Sequence, residues 1–144
     1  MLRWRAVVAV TVLALTAVPG FAAAGSRREG YLKGLFTFSA RGHTWAIRGV
    51  VTLVERGGKV HRIEVDRQGD QQLKAGRFSE ELTSGTYRIS CQSSRFGDCR
   101  DGGGCGAYLT GHSFHISHPS RPVTAVRIKS GKPIHVRINC FGHG

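Results

Sequence analysis

The feature that most constrains the fold of this chain is an alternation of apolar and polar side chains directly after a turn. The stretch from Gly76 to Cys91 reads GRFSEELTSGTYRISC, with the turn at Ser84-Gly85. Because successive side chains of a strand point to opposite faces, the alternation predicts a strand with one buried face. That face carries Tyr87, Ile89 and Cys91, and the residues with predicted structural roles in this corner are Phe78, Leu82, Gly85 and Tyr87.

The first part of the chain predicts a cleaved signal peptide at 1–24. A start with two arginines is followed by an apolar run over 6–18 and by the cleavage signal Ala22-Ala23-Ala24. A membrane anchor is the alternative, but an anchor needs about 20 apolar residues, more than this run supplies. Cleavage after Ala24 predicts a secreted or periplasmic protein with no stable membrane insertion once it is cleaved.

The remaining length suits a single domain, at 31–144, behind a mobile leader at 25–30. Of the 21 Lys and Arg residues, Arg3 and Arg5 lie in the signal peptide, so 19 remain against 9 Asp and Glu, a net charge of +10. This excess favours an anionic partner, which is a polymer, glycan or protein at the cell envelope. Nucleic acid is not expected, because no strand combines aromatic and basic residues for stacking and because the protein is exported.

Further alternating segments, separated by turn residues, predict an all-β fold. Outside the signal helix no segment has helical periodicity, and the strands number seven or eight. We therefore predict an antiparallel β-sandwich, interrupted by a long excursion at 93–120. Loops of that length are usually functional or tethered. Periodicity alone does not separate the possible topologies, and an immunoglobulin-like sandwich is the alternative.

Short motifs around the corner suggest a family. The G-x-F step is Gly76-Arg77-Phe78, and an L-x-x-G-x-Y step runs from Leu82 to Tyr87. This pattern resembles the carboxypeptidase regulatory-like, transthyretin-like β-sandwiches, small extracellular modules that mostly bind or scaffold. Asp66 to Gly69 is similar to the family's preceding D-x-x-G step, although Asp70 to Ala75 is an insertion relative to the pattern. The resemblance covers Leu32 to Gln92 and Val123 to Cys140, and it implies a transthyretin-like topology and a binding role.

Four cysteines, an even number in an exported chain, predict two disulfides with three possible pairings. Cys91 shares a face with the apolar residues of its strand, and Cys140 does the same in the last strand, so both thiols are expected in the core. Cys99 and Cys105 lie in the glycine-rich excursion. The shared inward direction of Cys91 and Cys140, their parity, favours one disulfide between Cys91 and Cys140 and another between Cys99 and Cys105. The other two pairings remain open.

Three histidines in the excursion form a candidate metal site. His112, His115 and His118 are three residues apart in GHSFHISH, and imidazole is a common ligand of zinc and copper. Spacing of three alternates faces on a strand, so the site requires an irregular loop. A solvated loop with no metal is the simpler interpretation, and we expect no cofactor.

The sequence is therefore compatible with two functions. The first is a secreted, non-enzymatic binding or scaffolding module that presents the excursion and a basic surface made by Arg127, Lys129, His135 and Arg137 to an anionic envelope or extracellular ligand. The second is a small metal-binding protein that takes zinc or copper on the histidine loop. Enzyme activity is not expected, because no serine lies in a G-x-S-x-G nucleophile elbow and the C-terminus lacks the Tyr-Arg-Gly-Ser motif of transthyretin-like hydrolases.

Overall fold

The computed structural model describes residues 29–66, 74–93, 95–99 and 104–142, and within them the secondary structure is entirely β. Ten strands are present there, where the sequence predicts seven or eight. The predicted signal peptide at 1–24 lies outside the described residues. β1 begins at Glu29, so the last two residues of the predicted leader are already in a strand. The strands are β1 Glu29–Ala40, β2 His43–Ala46, β3 Gly49–Glu55, β4 Val60–Val65, β5 Arg77–Thr83, β6 Gly85–Ser93, β7 Gly97–Asp98, β8 Cys105–Thr110, β9 Ala125–Ile128 and β10 Ile134–Phe141.

Two five-stranded sheets pack face to face, which confirms the predicted sandwich architecture. In sheet 1, the long strand β1 pairs with β10 on one side, and β8 lies beyond β10. On its other side β1 pairs with β5 along its first half and with β2 along its second half. In sheet 2, β4, β3 and β6 are neighbours, and β6 then pairs with β9 and with β7.

The core lies between the sheets and is built from the inward faces of the alternating strands. On β1 the inward residues Leu32 and Phe36 are fully buried, and on β10 so are Val136 and Ile138. Gly34 lies between the two inward residues of β1, and the ring of Phe78 rests directly on it, where any side chain would collide with that ring. The other fully buried apolar residues include Val51 and Leu53 of β3 and Tyr87 of β6.

The pairing of β1 with β10 is parallel, which differs from the predicted antiparallel sandwich. The register runs from Leu32 opposite Ile134 to Ser39 opposite Phe141. Side chains alternate between faces in the same way in parallel and antiparallel strands, so the period of the pattern does not reveal the direction of a partner. Because the first and last strands are joined by the whole domain and not by a hairpin, their relative direction is set by the fold.

The disulfides connect Cys91 with Cys99 and Cys105 with Cys140, so the pairing favoured by parity is wrong. Cys91 and Cys140 do point into the core, but β6 and β10 belong to different sheets. The excursion contains two strands of its own, and these supply the partners. β8 places Cys105 directly opposite Cys140, and Cys99 follows β7, the antiparallel neighbour of the end of β6.

The two disulfides indicate an oxidising compartment, either extracellular or periplasmic. In the chain-entropy model, the disulfide that closes the longer loop, with a sequence separation of 35, stabilises the fold by about 4 kcal/mol. The disulfide that closes the shorter loop stabilises it by about 2.5 kcal/mol. No helix in the described part of the chain has the length and apolar character that crossing a membrane requires.

The corner between β5 and β6 has the predicted arrangement. Tyr87 is fully buried, and its hydroxyl donates a hydrogen bond of 2.7 Å to the backbone carbonyl of Thr83. The hydroxyls of Tyr87 and Thr83 are also within 2.9 Å of each other. Phe78 and Leu82 belong to the same buried cluster. A large ring is thus accommodated in the core while its one polar atom is satisfied by the preceding strand.

Truncation of Tyr87 is expected to be strongly destabilising. Tyr87→Ala leaves a cavity and should lower the free energy of unfolding by about 3 to 5 kcal/mol, whereas Tyr87→Phe removes the hydroxyl hydrogen bonds alone and should cost about 1 kcal/mol. Urea denaturation measures both. Tyr31→Ala, at an exposed ring on β1, is the matched control and should change stability little. A Tyr87→Ala protein that melts within a degree or two of wild type contradicts the described corner.

The disulfide pairing is testable by non-reducing tryptic mapping, because cleavage after arginine places each cysteine on its own peptide. The structure predicts that peptide 89–95 is linked to 96–100 and that 101–127 is linked to 138–144. Mass spectrometry of the digest identifies the linked pairs, and reduction should separate them. A linkage between 89–95 and 138–144 would restore the pairing favoured by parity.

Candidate functional site

The outward face of sheet 1 carries an organised group of polar side chains around Arg137. This residue lies on β10, on the face opposite the core, with Leu35 of β1 and Tyr108 of β8 as its neighbours in register. Asn139 lies two residues further along the same face, opposite Thr37. The alternation of β10 therefore places a guanidinium and an amide side by side on the outer surface of the central strand pair.

Arg137 is half-buried and donates hydrogen bonds only to neutral acceptors. Its Nε donates to Thr37 Oγ1 at 3.0 Å, and its Nη2 donates to Asn139 Oδ1 at 3.2 Å and to Ser39 Oγ at 3.4 Å. Nη1 donates to the carbonyl oxygen of Phe114 at 3.4 Å. Within the described residues no carboxylate neutralises this guanidinium. Burial lowers the pKa of Arg137 from its ordinary value, because removal from water disfavours the charged form.

Asn139 is the buried acceptor that fixes the hydrogen-bond network around Arg137. It is 1% exposed, and its Oδ1 accepts hydrogen bonds from Thr37 Oγ1 at 2.7 Å and from Ser39 Oγ at 2.9 Å. Thr37 is buried as well and also lies within 3.2 Å of the carbonyl oxygen of Ile138. Buried polar groups that satisfy one another in this way form a rigid network. Three of the four hydrogen bonds that direct the Arg137 side chain are therefore made to strand residues, and the fourth is made to the loop residue Phe114.

The loop after β8 folds over this face. Phe114 anchors it: the ring is 4% exposed, its centroid is 5.5 Å from that of His135, and the guanidinium of Arg77 lies 5.0 Å above it. Phe114 has a φ of 57°, an unfavourable conformation for a large L-residue, and burial of its ring stabilises it there. The far end of the loop is tied back to β8, where Val123 N donates to the carbonyl of Ala107 at 2.7 Å.

A cleft of about 280 Å³ lies between this loop and the sheet. Arg137 and Asn139 form part of its floor. Tyr108 forms part of its wall, and its ring lies against Gly106, where an added Cβ would come within 3.0 Å of it. The lining residues are Ser39, Tyr108, His115, Ile116, Ser117, His118, Ser120, Arg137, Asn139 and Phe141. A guanidinium surrounded by hydroxyl and imidazole groups is suited to bind an anion, since each of these groups donates hydrogen bonds.

The structure brings two of the three predicted metal-ligating histidines into this cleft and separates the third. His115 and His118 line it, whereas the ring of His112 packs against that of His135 at 4.4 Å between centroids. In the described ranges, no group of three or more histidine, cysteine or acidic side chains is close enough together to hold a metal ion. The predicted three-histidine metal site is therefore not assembled, because the loop presents His112 to β10 and the other two rings to the cleft.

The predicted basic surface of four residues is also divided by the fold. His135 and Arg137 lie on the outer face of sheet 1, whereas Arg127 lies on β9 of sheet 2 and Lys129 follows directly after it. The turn from β9 to β10 passes from one sheet to the other, so the two pairs of residues do not form one surface. The sequence shows which side chains point outward, and only the sheet assignment shows which of them are neighbours.

Three residues of the cleft or of the hydrogen-bond network around Arg137 are not singled out by the sequence. Thr37 and Ser39 alternate with the core residues of β1 and so are expected at the outer face, but nothing in the sequence relates them to Arg137. Tyr108 lies in the excursion, where no strand is predicted. Their association depends on β1 and β8 both lying next to β10, which is a property of the sheet order.

Comparisons of this chain with models of protein families, with curated proteins and with solved structures found no match.

Protonation of His135 provides a test of the geometry at this face. Burial, followed by the nearby positive charges of His112 and Lys33, lowers the pKa of His135. His112→Ala is expected to raise that pKa in an NMR titration, because one of these charges is removed. The unfolded chain binds more protons than the folded one just below the ordinary histidine pKa, so the His135 contribution to stability should decrease as the pH falls through that window. An unchanged His135 titration in the variant contradicts the contact.

Proposed function

We propose that this protein is a secreted, non-enzymatic binding module that holds an anionic group of an envelope or extracellular ligand in the cleft beneath the 111–118 loop. Arg137 carries the proposal. It is a half-buried guanidinium held by neutral acceptors, with no carboxylate partner among the described residues. A ligand carboxylate, sulfate or phosphate would supply the charge that this site lacks.

The hydrogen bonds of Arg137 support this assignment. A guanidinium has five N–H donors, and four contacts to protein acceptors are present, two of them at the long distance of 3.4 Å. An anion in the cleft would therefore meet donors that are incompletely used. Because the strand network already fixes the guanidinium, little side-chain entropy is lost on binding. A bond to an anion, in which both partners are charged, is also stronger than the present bonds, in which only the guanidinium is charged.

The size of the cleft favours recognition of one charged unit of a larger ligand. Pockets for drug-sized ligands are typically about 300 to 1,000 Å³, and this cleft, of about 280 Å³, lies just below that range. It suits one acidic group together with a ring as small as a monosaccharide. The net positive charge of the chain would attract the rest of an anionic polymer, in an interaction that weakens with added salt.

The proposal also includes the export of this protein and its assignment to a family of β-sandwiches. The two disulfides support an oxidising compartment, and the N-terminal sequence supports export through a signal peptide. The corner motif from Gly76 to Tyr87 supports a sandwich of the carboxypeptidase regulatory-like, transthyretin-like kind, whose members mostly bind or scaffold. No chemical step and no cofactor enters the proposal.

The proposal is tested by calorimetric titration with inorganic phosphate, sulfate and glucuronate, and by retention on an acidic polysaccharide column at increasing salt. Arg137→Gln should weaken binding of the preferred anion about tenfold or more, because a charge-assisted hydrogen bond contributes about 1.5 to 3 kcal/mol. Arg137→Lys, which keeps the charge but not the planar fork, should fall between the two proteins. Tyr108→Phe tests the cleft without altering the arginine and should weaken binding less.

Arg127→Gln is the matched control, since Arg127 is an exposed arginine on the opposite sheet. It should leave the affinity for the small anions unchanged. Equal losses in Arg127→Gln and Arg137→Gln would indicate a diffuse basic surface and contradict the cleft. Stoichiometric uptake of zinc or copper that is lost in His115→Ala would instead favour metal binding. Urea denaturation of each variant separates loss of binding from loss of folding.

A further inference from the structure

A second pocket is lined mainly by apolar side chains, three of which are aromatic. Phe38 of β1 is its centre: its ring is stacked on Phe96 at 3.9 Å between centroids, with 17° between the planes, and on Trp45 at 5.9 Å and 23°. Trp45 is 47% exposed, so part of its ring faces the open side of the pocket. The pocket has a volume of about 460 Å³, within the range of pockets that bind small organic molecules.

Two arginines, Arg48 and Arg95, line this apolar pocket. Arg95 is exposed and has no carboxylate partner among the residues that the structure describes, whereas Arg48 lies 3.3 Å from Asp66 in an exposed ion pair. Exposed pairs of this kind are weak, so the guanidinium of Arg48 is readily available to another anion. The pocket therefore combines stacked aromatic carbon surface with positive charge.

The pocket wall is held in place by covalent and backbone contacts. Phe96 lies in the turn between β6 and β7, which the disulfide between Cys91 and Cys99 closes. Ser93 Oγ accepts hydrogen bonds from the backbone N–H groups of Arg95 and Phe96 at 3.3 and 3.4 Å. Phe96 is thus positioned before any ligand arrives. A preformed wall reduces the entropy that binding would cost.

We propose that this pocket binds a small planar aromatic anion, with its ring on the stack of Trp45, Phe38 and Phe96 and its acidic group between Arg48 and Arg95. Sugar rings need hydrogen-bonding partners for several hydroxyls, and here the polar lining consists of the two arginines and the almost buried Ser93. A flat ring matches the nearly parallel aromatic planes, which favour offset stacking. This site is independent of the Arg137 cleft, which lies on the outer face of sheet 1.

The test uses Trp45 as its own reporter. The chain contains two tryptophans, Trp4 and Trp45, and Trp4 lies within the predicted signal peptide, so the mature protein from Gly25 onward has Trp45 as its only tryptophan. Titration with 2-naphthoate should change the fluorescence of Trp45 in a saturable manner. The neutral analogue 2-naphthylmethanol has the same ring without the charge and should bind at least about fivefold more weakly, because the ion pairs with arginine are lost. Octanoate and glucuronate provide the acyl and sugar acids for comparison.

Single substitutions test which side chains of the pocket contact 2-naphthoate. Arg95→Gln should raise the Kd for 2-naphthoate about fivefold, and Trp45→Ala, measured by calorimetry, about tenfold. Both residues are exposed, so neither change is expected to prevent folding. Arg88→Gln, at an exposed arginine of β6 outside the pocket, is the control and should leave the Kd unchanged, as should Arg137→Gln.

Three results would overturn the assignment: equal affinity for the neutral analogue, tighter binding of octanoate or glucuronate than of 2-naphthoate, or equal Kd values in Arg95→Gln and Arg88→Gln. Because Arg137→Gln is measured in the same series, loss of anion binding in the cleft and loss of aryl binding in this pocket are separated.

Discussion

The parallel pairing of β1 with β10 is the interaction on which the rest of this structure depends. These two strands form the middle of sheet 1, and every other strand of that sheet is attached to one of them. Their inward faces supply a large share of the fully buried core, including Phe36, Val136 and Ile138. Their outward faces supply the polar network of Thr37, Arg137 and Asn139. One strand pair thus contributes both to the core and to the candidate cleft.

The two disulfides attach β8 and the β6–β7 turn to neighbouring strands. Cys105 ties β8, at the edge of sheet 1, to the last strand, and Cys91 ties the β6–β7 turn to sheet 2. Each bridge therefore stands beside one of the two candidate sites. The first supports the strand from which the loop over Arg137 departs. The second holds the turn that presents Phe96. Covalent attachment of binding loops to a rigid scaffold reduces the entropy lost when a ligand is bound.

The two candidate sites differ in chemistry because they lie on opposite sides of the same strand. Ser39 points outward and joins the Arg137 network, whereas its neighbour Phe38 points inward and stacks with Trp45 and Phe96. The outer site is polar and is built around one half-buried charge. The inner site is apolar, with two arginines at its margin. Both would favour anions, in agreement with the net charge, yet a ligand that suits one has no evident fit to the other.

The sequence by itself determined the local properties of this protein: the strands with one buried face, the burial of Tyr87, the inward direction of Cys91 and Cys140, and the outward direction of Arg137. These follow from a period of two along each strand, which the residue types display directly. Only the tertiary structure decided the parallel direction of β10, the partners of the cysteines and the division of the basic residues between two sheets. Each of these depends on which strands become neighbours. Many strand registers and strand orders fit the same alternating pattern, and only the packing of the whole core selects one of them. The sequence did not reveal β7 and β8 within the excursion for the same reason, because these short strands gain their order by pairing with the ends of β6 and β10.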